Sequence, residues 1–319
     1  MIALSTSCLA PGPAELDERI DTLLGYEVEG YELSYRIAAD EIEAFGRAIR
    51  GAGRRVVSLH SYCPVPRGIT AKNAGGDLLL LTSEDATMRE RGIAATIETL
   101  EWAARLEANA IVMHSGRTPI EYPKLEIREL YDSGRWNILP GGDAEAIFRR
   151  ITQERAQTAE RALDLLCLSL DPILEAAGRL EVFVGLENRI YPHEIPSPAE
   201  FTKLCEVFRG ARVGTWYDTG HAGYQEALGF AAPKETWDAM RPNLLGCHVH
   251  DVEGIQDHLP PGEGSLDLGG LLGDLPESMP LVVELRASQS VERIAAGIEE
   301  LRRQLSPNEN TPADPFLLA

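Results

Sequence analysis

Histidines and carboxylates in this sequence stand where apolar, strand-like segments end, and this placement could build a metal site. Six of the seven histidines occur there or shortly afterwards: His60, His114, His221, His248, His250 and His258. The acidic residues Glu187, Asp218 and Glu284 end similar apolar runs. Imidazole and carboxylate groups are common protein ligands of Zn²⁺, Mn²⁺ and Mg²⁺. The pattern therefore predicts a divalent-metal centre assembled from several strand ends.

The candidate ligands fall into two groups by donor chemistry. One group is rich in oxygen and has a single imidazole; its members are Glu187, Asp218, His248 and Glu284. Such a set suits Mn²⁺, Mg²⁺ or Zn²⁺. His60, His114 and His258 add imidazoles from other strand ends, which shifts the preference toward Zn²⁺. His250 shares a strand face with His248, where it could support a ligand, contact the substrate or lie exposed; we predict that it contacts the substrate.

The segments that must position these residues alternate between strand and helix patterns. Eight strand-like segments are predicted, at 2–6, 30–34, 55–60, 110–114, 181–187, 213–218, 244–250 and 280–286. Several are continuous apolar runs, which is typical of strands buried on both faces. Helical patterns fill the gaps, and Pro172 predicts the end of the helix over 144–170.

Eight such repeats predict a single-domain α/β fold, the (β/α)8 barrel. A doubly wound open sheet is the alternative, but it would collect ligand groups at one switch point in the strand order. Here candidate ligands follow at least six strands, which favours closure. We expect the barrel to span residues 1–305 and a flexible tail to span 306–319. The long loops 61–84 and 115–143 should rise over the active face as lids, or else form a dimer contact.

Charge and composition narrow the classes of partner. The 319 residues carry a formal net charge of −20, which disfavours nucleic acid and anionic membranes as partners. No apolar run approaches the roughly 20 residues of a membrane span, and the N-terminus lacks the features of a signal peptide. Five widely spaced cysteines are typical of reduced thiols rather than of a disulfide framework. We therefore expect a cytoplasmic protein with a small-molecule substrate.

Several motifs together resemble the xylose isomerase-like barrel superfamily, which includes apurinic endonuclease family 2 and the sugar phosphate isomerase–epimerase group. These motifs are Val57–His60, Val112–His114, Leu186–Arg189, Tyr217–Ala222, Cys247–Asp251, Asp257–Gly264 and Val283–Leu285. The resemblance covers most of the chain. It implies a TIM barrel with a metal site, but it does not specify one reaction, because members include endonucleases, isomerases, epimerases and dehydratases.

The resemblance also implies roles for individual residues. It assigns the shared metal site to Glu187, Asp218, His248 and Glu284, a further zinc to His60, His114 and bridging Glu187, and a third zinc to His221 and His258. The aspartate expected two positions before His258 is Gln256 here, so the third site is absent or completed differently. Asp257 is adjacent but should point elsewhere in an extended segment. We predict Asn188, Arg189 and Glu263, with His250, as substrate contacts.

Retention of His60, His114 and His258 favours a zinc-dependent phosphodiester hydrolase with two or three ions, because several metals can activate water and neutralise a phosphodiester. The charge balance favours a small-molecule substrate, and the Tyr62–Pro66 loop is similar to a cobamide-remodelling branch. The alternative is a sugar or hydroxy-acid isomerase or epimerase that uses one Mn²⁺, Mg²⁺ or Zn²⁺ ion and the catalytic pair Glu187 and Glu284. A metal-binding regulatory barrel is a third possibility. Metal stoichiometry distinguishes these hypotheses.

Overall fold

The computed structural model describes residues 1–9 and 15–306, and eight of its strands close into a parallel barrel. The strands are β1 (Ile2–Ser5), β2 (Gly30–Leu33), β3 (Arg55–His60), β4 (Ala110–Met113), β5 (Phe183–Glu187), β6 (Val213–Asp218), β7 (Leu244–Val249), β8 (Asp251–Glu253), β9 (Gln256–Leu259) and β10 (Leu281–Val283). Around the barrel the order is β1, β10, β7, β6, β5, β4, β3, β2, with β1 hydrogen-bonded to β2. The predicted (β/α)8 architecture is confirmed.

Helices follow the strands and cover the outside of the barrel. They are α1 (Leu16–Leu24), α2 (Ile42–Gly51), α3 (Ala86–Arg105), α4 (Lys124–Asp132), α5 (Glu145–Leu180), α6 (Pro198–Val207), α7 (Thr219–Ala227), α8 (Pro233–Met240), α9 (Leu268–Leu272) and α10 (Val291–Leu305). The prediction that Pro172 ends a helix is wrong, because Pro172 lies inside the 36-residue helix α5. Its buried face persists beyond the proline at Ile173, Leu174 and Ala177, and this packing offsets the missing backbone hydrogen bond.

Inward-facing side chains change from apolar to polar along the barrel axis. Val282 in β10 and Trp216 in β6 belong to an apolar cluster inside the barrel. Glu284 lies two positions after Val282, and Asp218 lies two positions after Trp216, so each shares the strand face of its apolar neighbour. A Cβ at Gly246 would lie 2.5 Å from the indole of Trp216, so this glycine makes room for the ring. The lower barrel is therefore a packed plug, and the polar groups collect at the carboxyl ends of the strands.

The two long loops pack on the face of the barrel that carries these polar groups. Loop 115–143 contains helix α4, which the sequence analysis did not anticipate, and a hydrophobic cluster ties it to Ile190, Tyr224 and Ile255. After β7, strands β8 and β9 pair as an antiparallel hairpin that the sequence analysis also missed. Loop 115–143 and the β8–β9 hairpin are thus packed parts of the fold on this face of the barrel.

The remaining expectations concern the C-terminal tail, membrane-spanning segments and the cysteines. The predicted tail 306–319 lies outside the described residues except for Ser306, and so do residues 10–14. Within the part of the chain that the structure describes, no helix combines the length and apolar character needed to cross a bilayer. The five cysteines are unpaired, as expected, and Cys247 packs in the main hydrophobic core.

Candidate metal centre

The oxygen-rich set predicted from the sequence converges at the carboxyl end of the barrel. One ligand atom from each of four residues lies within 4.8 Å of the others: Glu187, Asp218, His248 and Glu284. All four are buried, with exposed fractions of at most 5%. His248 Nδ1 lies 2.9 Å from Glu187 Oε1 and 3.2 Å from Glu284 Oε2. The group is compact enough for all four side chains to reach one ion.

The charge of this group explains why a cation fits it. Three buried carboxylates face one imidazole, and buried carboxylates are costly unless they are paired. Burial alone would lower the pKa of His248, but Glu284 and Glu32 raise it well above its ordinary value. The imidazole thus serves as a partial counter-charge to these carboxylates. The donors match a divalent cation that accepts oxygen and nitrogen ligands.

Glu32, at the carboxyl end of β2, is a part of the centre that the sequence analysis missed. It is fully buried and accepts hydrogen bonds from His248 Nε2 at 3.0 Å, Ser5 Oγ at 3.0 Å and Ser58 Oγ at 2.8 Å. Metal-binding histidines commonly donate their second ring N–H to a carboxylate in this way. Glu32 therefore turns Nδ1 of His248 toward the other ligands. A charged residue in the otherwise uncharged strand β2 was the available signal.

His60 and His114 approach the centre from the opposite side of Glu187. Their Nε2 atoms lie 3.8 Å and 3.1 Å from Glu187 Oε2, whereas His248 contacts Oε1. His60 Nδ1 donates to the carbonyl oxygen of Ser61 at 3.0 Å, so its Nε2 is left to face the carboxylate. Glu187 thus stands between His60 and His114 at one oxygen and His248 at the other, and ligand atoms of His60, Glu187 and His248 lie within 4.8 Å of one another.

A buried ion-pair network supports His114. Its Nδ1 lies 3.0 Å from Asp77 Oδ1, within ion-pair distance although too bent for a good hydrogen bond. Burial and Arg189 lower the pKa of His114, but Asp77 and Glu187 outweigh them and raise it to about 9. Burial favours neutral Glu187, yet the neighbouring imidazoles of His114, His248 and His60 hold its pKa well below the usual range. Glu187 is therefore ionised at neutral pH.

A third group consists of imidazoles alone. Ligand atoms of His221, His250 and His258 lie within 4.8 Å of one another. His221 lies in the first turn of helix α7, as predicted, and its Nδ1 donates to the carbonyl oxygen of Asn188 at 3.0 Å. His258 Nδ1 donates to Asp257 at 2.7 Å. Both rings therefore keep Nε2 available.

One expectation about this group is corrected. Asp257 does not point away from the site; it holds the ring of its neighbour His258 and is paired with Arg286. His250 stands beside His258, with ring centres 4.1 Å apart, while Gln256 is exposed. His250 is fully buried, and its Nε2 lies 3.0 Å from Asp218 Oδ1. It is thus the third imidazole of this cluster, although its Nδ1 accepts from the backbone N–H of His258 at 2.9 Å.

The remaining predicted residues divide between the centre and the surface. The side chain of Asn188 makes two hydrogen bonds to the backbone of Asp218. Its Nδ2 donates to the carbonyl oxygen at 2.9 Å, and its Oδ1 accepts from the N–H at 2.6 Å. Arg189 is buried and donates to Glu187 Oε2 at 2.9 Å. Glu263 lies apart from the centre, exposed and paired with Arg293. Asn188 and Arg189 thus support the ligands, and Glu263 is not brought to the site.

The chain is similar in sequence to one protein family and in structure to several solved proteins. A family model described as the xylose isomerase-like TIM barrel matches residues 23–304. Among curated proteins, none matches this sequence. A D-tagatose 3-epimerase-like protein has a TM-score of 0.66 at 16% identity, with 95% of this chain and 96% of that chain covered.

Two further solved structures are similar. A 3-keto-D-glucoside 4-epimerase from E. coli has a TM-score of 0.65 at 16% identity, with 95% of this chain and 98% of that chain covered. A D-psicose 3-epimerase from Clostridium cellulolyticum H10 has a TM-score of 0.59 at 14% identity, with 95% of each chain covered. At these identities the similarity shows the shared fold.

Proposed function

We propose that this chain, which belongs to the xylose isomerase-like TIM barrel family, is a divalent-metal-dependent sugar epimerase or isomerase. The observation that carries the proposal is the pair of buried carboxylates Glu187 and Glu284, which contact the same nitrogen of His248 at 2.9 Å and 3.2 Å. Two carboxylates at one metal position suit proton removal and return at a carbon next to a carbonyl. The sugar epimerases with similar structures support this choice over hydrolysis, which the sequence analysis favoured.

The ion would be held by Glu187, Asp218, His248 and Glu284, and when bound it would polarise oxygen atoms of the sugar as a Lewis acid. One of the two glutamates accepts a proton from the substrate carbon, and the other returns a proton. Return to the opposite face of that carbon gives an epimer, whereas return to the neighbouring carbon gives an isomer. Arg189, beside Glu187, helps to keep that carboxylate ionised and so able to accept a proton.

A second candidate is the phosphodiester hydrolase. It is favoured by one observation: His60 and His114 present Nε2 to the second oxygen of Glu187, where another cation could bind. Two neighbouring cations can stabilise both the attacking and the leaving oxygen of a phosphodiester. The comparisons give no support to the cobamide-remodelling branch.

The proposal is tested by solvent-deuterium exchange. Purified protein, loaded separately with Mn²⁺, Mg²⁺, Co²⁺ or Zn²⁺, is incubated in D₂O with a panel of ketoses and 3-keto sugars. We expect deuterium to enter at one carbon of at least one sugar. Glu187→Gln and Glu284→Gln should lower exchange by at least about 10²-fold, whereas Glu263→Gln, an exposed control, should not change it. Turnover of bis(p-nitrophenyl) phosphate without exchange into any sugar would favour the hydrolase instead.

A further inference from the structure

The segment 75–81, within the long loop after β3, crosses the metal centre beside His114; we call it the strap. It is anchored to the barrel by buried side chains and backbone groups. Leu79 and Leu81 are buried, with exposed fractions of 5% and 1%. The carbonyl oxygen of Leu79 accepts from the hydroxyl of Tyr62, and that of Leu81 accepts from Ser169 Oγ at 2.8 Å. The strap is therefore held in place from both the β3 side and α5.

The strap packs directly on the ring of His114. A Cβ added at Gly76 would lie 2.6 Å from Nδ1 and 2.7 Å from Cε1 of His114, so only glycine allows this approach. The next residue, Asp77, places Oδ1 3.0 Å from His114 Nδ1 and Oδ2 3.3 Å from Arg189 Nη2. One side of the ring is thus in contact with the backbone, and its Nδ1 edge faces a carboxylate at ion-pair distance.

The barrel contacts the other edge of the His114 ring. Its Nε2 edge contacts Glu187 Oε2 at 3.1 Å, and that oxygen is shared with Arg189 and with His60. A metal-binding imidazole needs a partner for its other nitrogen, which sets the tautomer and the direction of the ring. For His60 this partner is the carbonyl oxygen of the adjacent residue, whereas for His114 it is the ion-paired carboxylate of a residue 37 positions earlier in the sequence.

We propose that Asp77 is a positioning residue for a second metal position formed by His60, His114 and Glu187, and that the strap thereby determines whether a second cation binds. Among the described residues, no hydrogen bond or ion pair joins the strap to Glu187, Asp218, His248 or Glu284, so the position that these four residues form should fill without it. This inference rests on the proposed metal centre, but it is independent of whether the substrate is a sugar or a phosphodiester.

The test measures metal content rather than turnover. Zinc-loaded wild-type protein is compared with Asp77→Ala, Asp77→Asn, Gly76→Ala and the control Glu84→Ala, which removes an exposed carboxylate from the same loop. Elemental analysis gives the number of bound ions, and chelator competition gives the affinity of each. Visible spectra of Co²⁺-loaded protein report the coordination of each position, and thermal melting of the metal-free variants reports the fold.

We expect at least two ions in the wild type and in Glu84→Ala. Asp77→Ala should weaken one ion by about 10–100-fold and leave the other unchanged, the range typical for loss of a residue that orients a ligand. Asp77→Asn should weaken the same ion less, because its amide oxygen still faces Nδ1. Gly76→Ala should match Asp77→Ala by displacing the ring without removing the carboxylate.

Wild-type metal affinity in both Asp77→Ala and Gly76→Ala would overturn the inference. A wild-type protein that binds a single ion would overturn it as well, while sugar exchange with that ion would leave the proposed epimerase intact. Conversely, selective loss of one ion without any sugar exchange would support the role of Asp77 and count against the epimerase. The two proposals can therefore fail separately.

Discussion

Replacing Glu32 by glutamine should separate metal binding from folding. Glutamine keeps the shape of the side chain and an oxygen for the N–H of His248 Nε2, and the hydroxyls of Ser5 and Ser58 can reorient to meet its amide. What is lost is the charge that strengthens the hydrogen bond to His248. Loss of such a partner typically lowers metal affinity 10–100-fold, which corresponds to about 1.4–2.7 kcal/mol.

The melting temperature of metal-free Glu32→Gln should stay close to that of the wild type, because His248 retains Glu187 and Glu284 on its other nitrogen. Calorimetric titration with Mn²⁺ measures the affinity, and Glu29→Gln is the matched control. Glu29 is an exposed carboxylate just before β2, at the opposite end of the barrel. Unchanged affinity in Glu32→Gln, or an equal loss in the control, would refute the role assigned to Glu32.

Three further predictions concern packing and protonation. Gly220→Ala should displace the ring of His250, because the added Cβ would lie 2.0 Å from it, and should destabilise the protein by about 1–3 kcal/mol in thermal melts. Burial lowers the pKa of His193 to about 4, below its unfolded value of about 6.5; its contribution to stability is therefore complete above about pH 6.5 and lost as the pH falls toward 4. His193→Phe should remove up to about 3 kcal/mol of that pH dependence in denaturant titrations, and an unchanged slope would contradict the assignment. Pro172→Ala should raise stability by about 1–3 kcal/mol, because it restores a donor inside α5; a loss of stability would show that the helix requires the proline.

The barrel could be predicted because its strands are buried on both faces and leave a continuous apolar signal. The ligands at strand ends were visible for the same reason, since Glu187 or Asp218 interrupts an apolar run where it ends. Helix α4 was missed because it is stabilised by packing against distant residues such as Tyr224. The continuation of α5 through Pro172 was missed for a related reason: packing overrode local propensity.

The residues that support the ligands were much harder to predict. Asp77 lies in a loop, and only the closed barrel brings it to His114. Glu32 lies in a strand, but 216 positions separate it from the histidine that it orients. His250 could have been a surface residue by sequence, and its burial beside His258 depends on the β8–β9 hairpin, which has no strong sequence signal. The candidate ligands can thus be recognised from local sequence, whereas the residues that orient them are brought close only by the tertiary structure.

Charge balance gives a physical reason to expect two cations that bind in sequence. Glu194 offsets Arg189, which leaves five carboxylates in the centre: Glu32, Asp77, Glu187, Asp218 and Glu284. One divalent ion leaves most of this charge unbalanced, whereas two nearly neutralise it when the imidazoles are neutral. Arg189 lies 2.9 Å from Glu187 Oε2, the oxygen that faces His60 and His114, so it repels a cation there more strongly than one near Oε1. We therefore expect the position of His248 and Glu284 to fill first and the position of His60 and His114 to release its ion first.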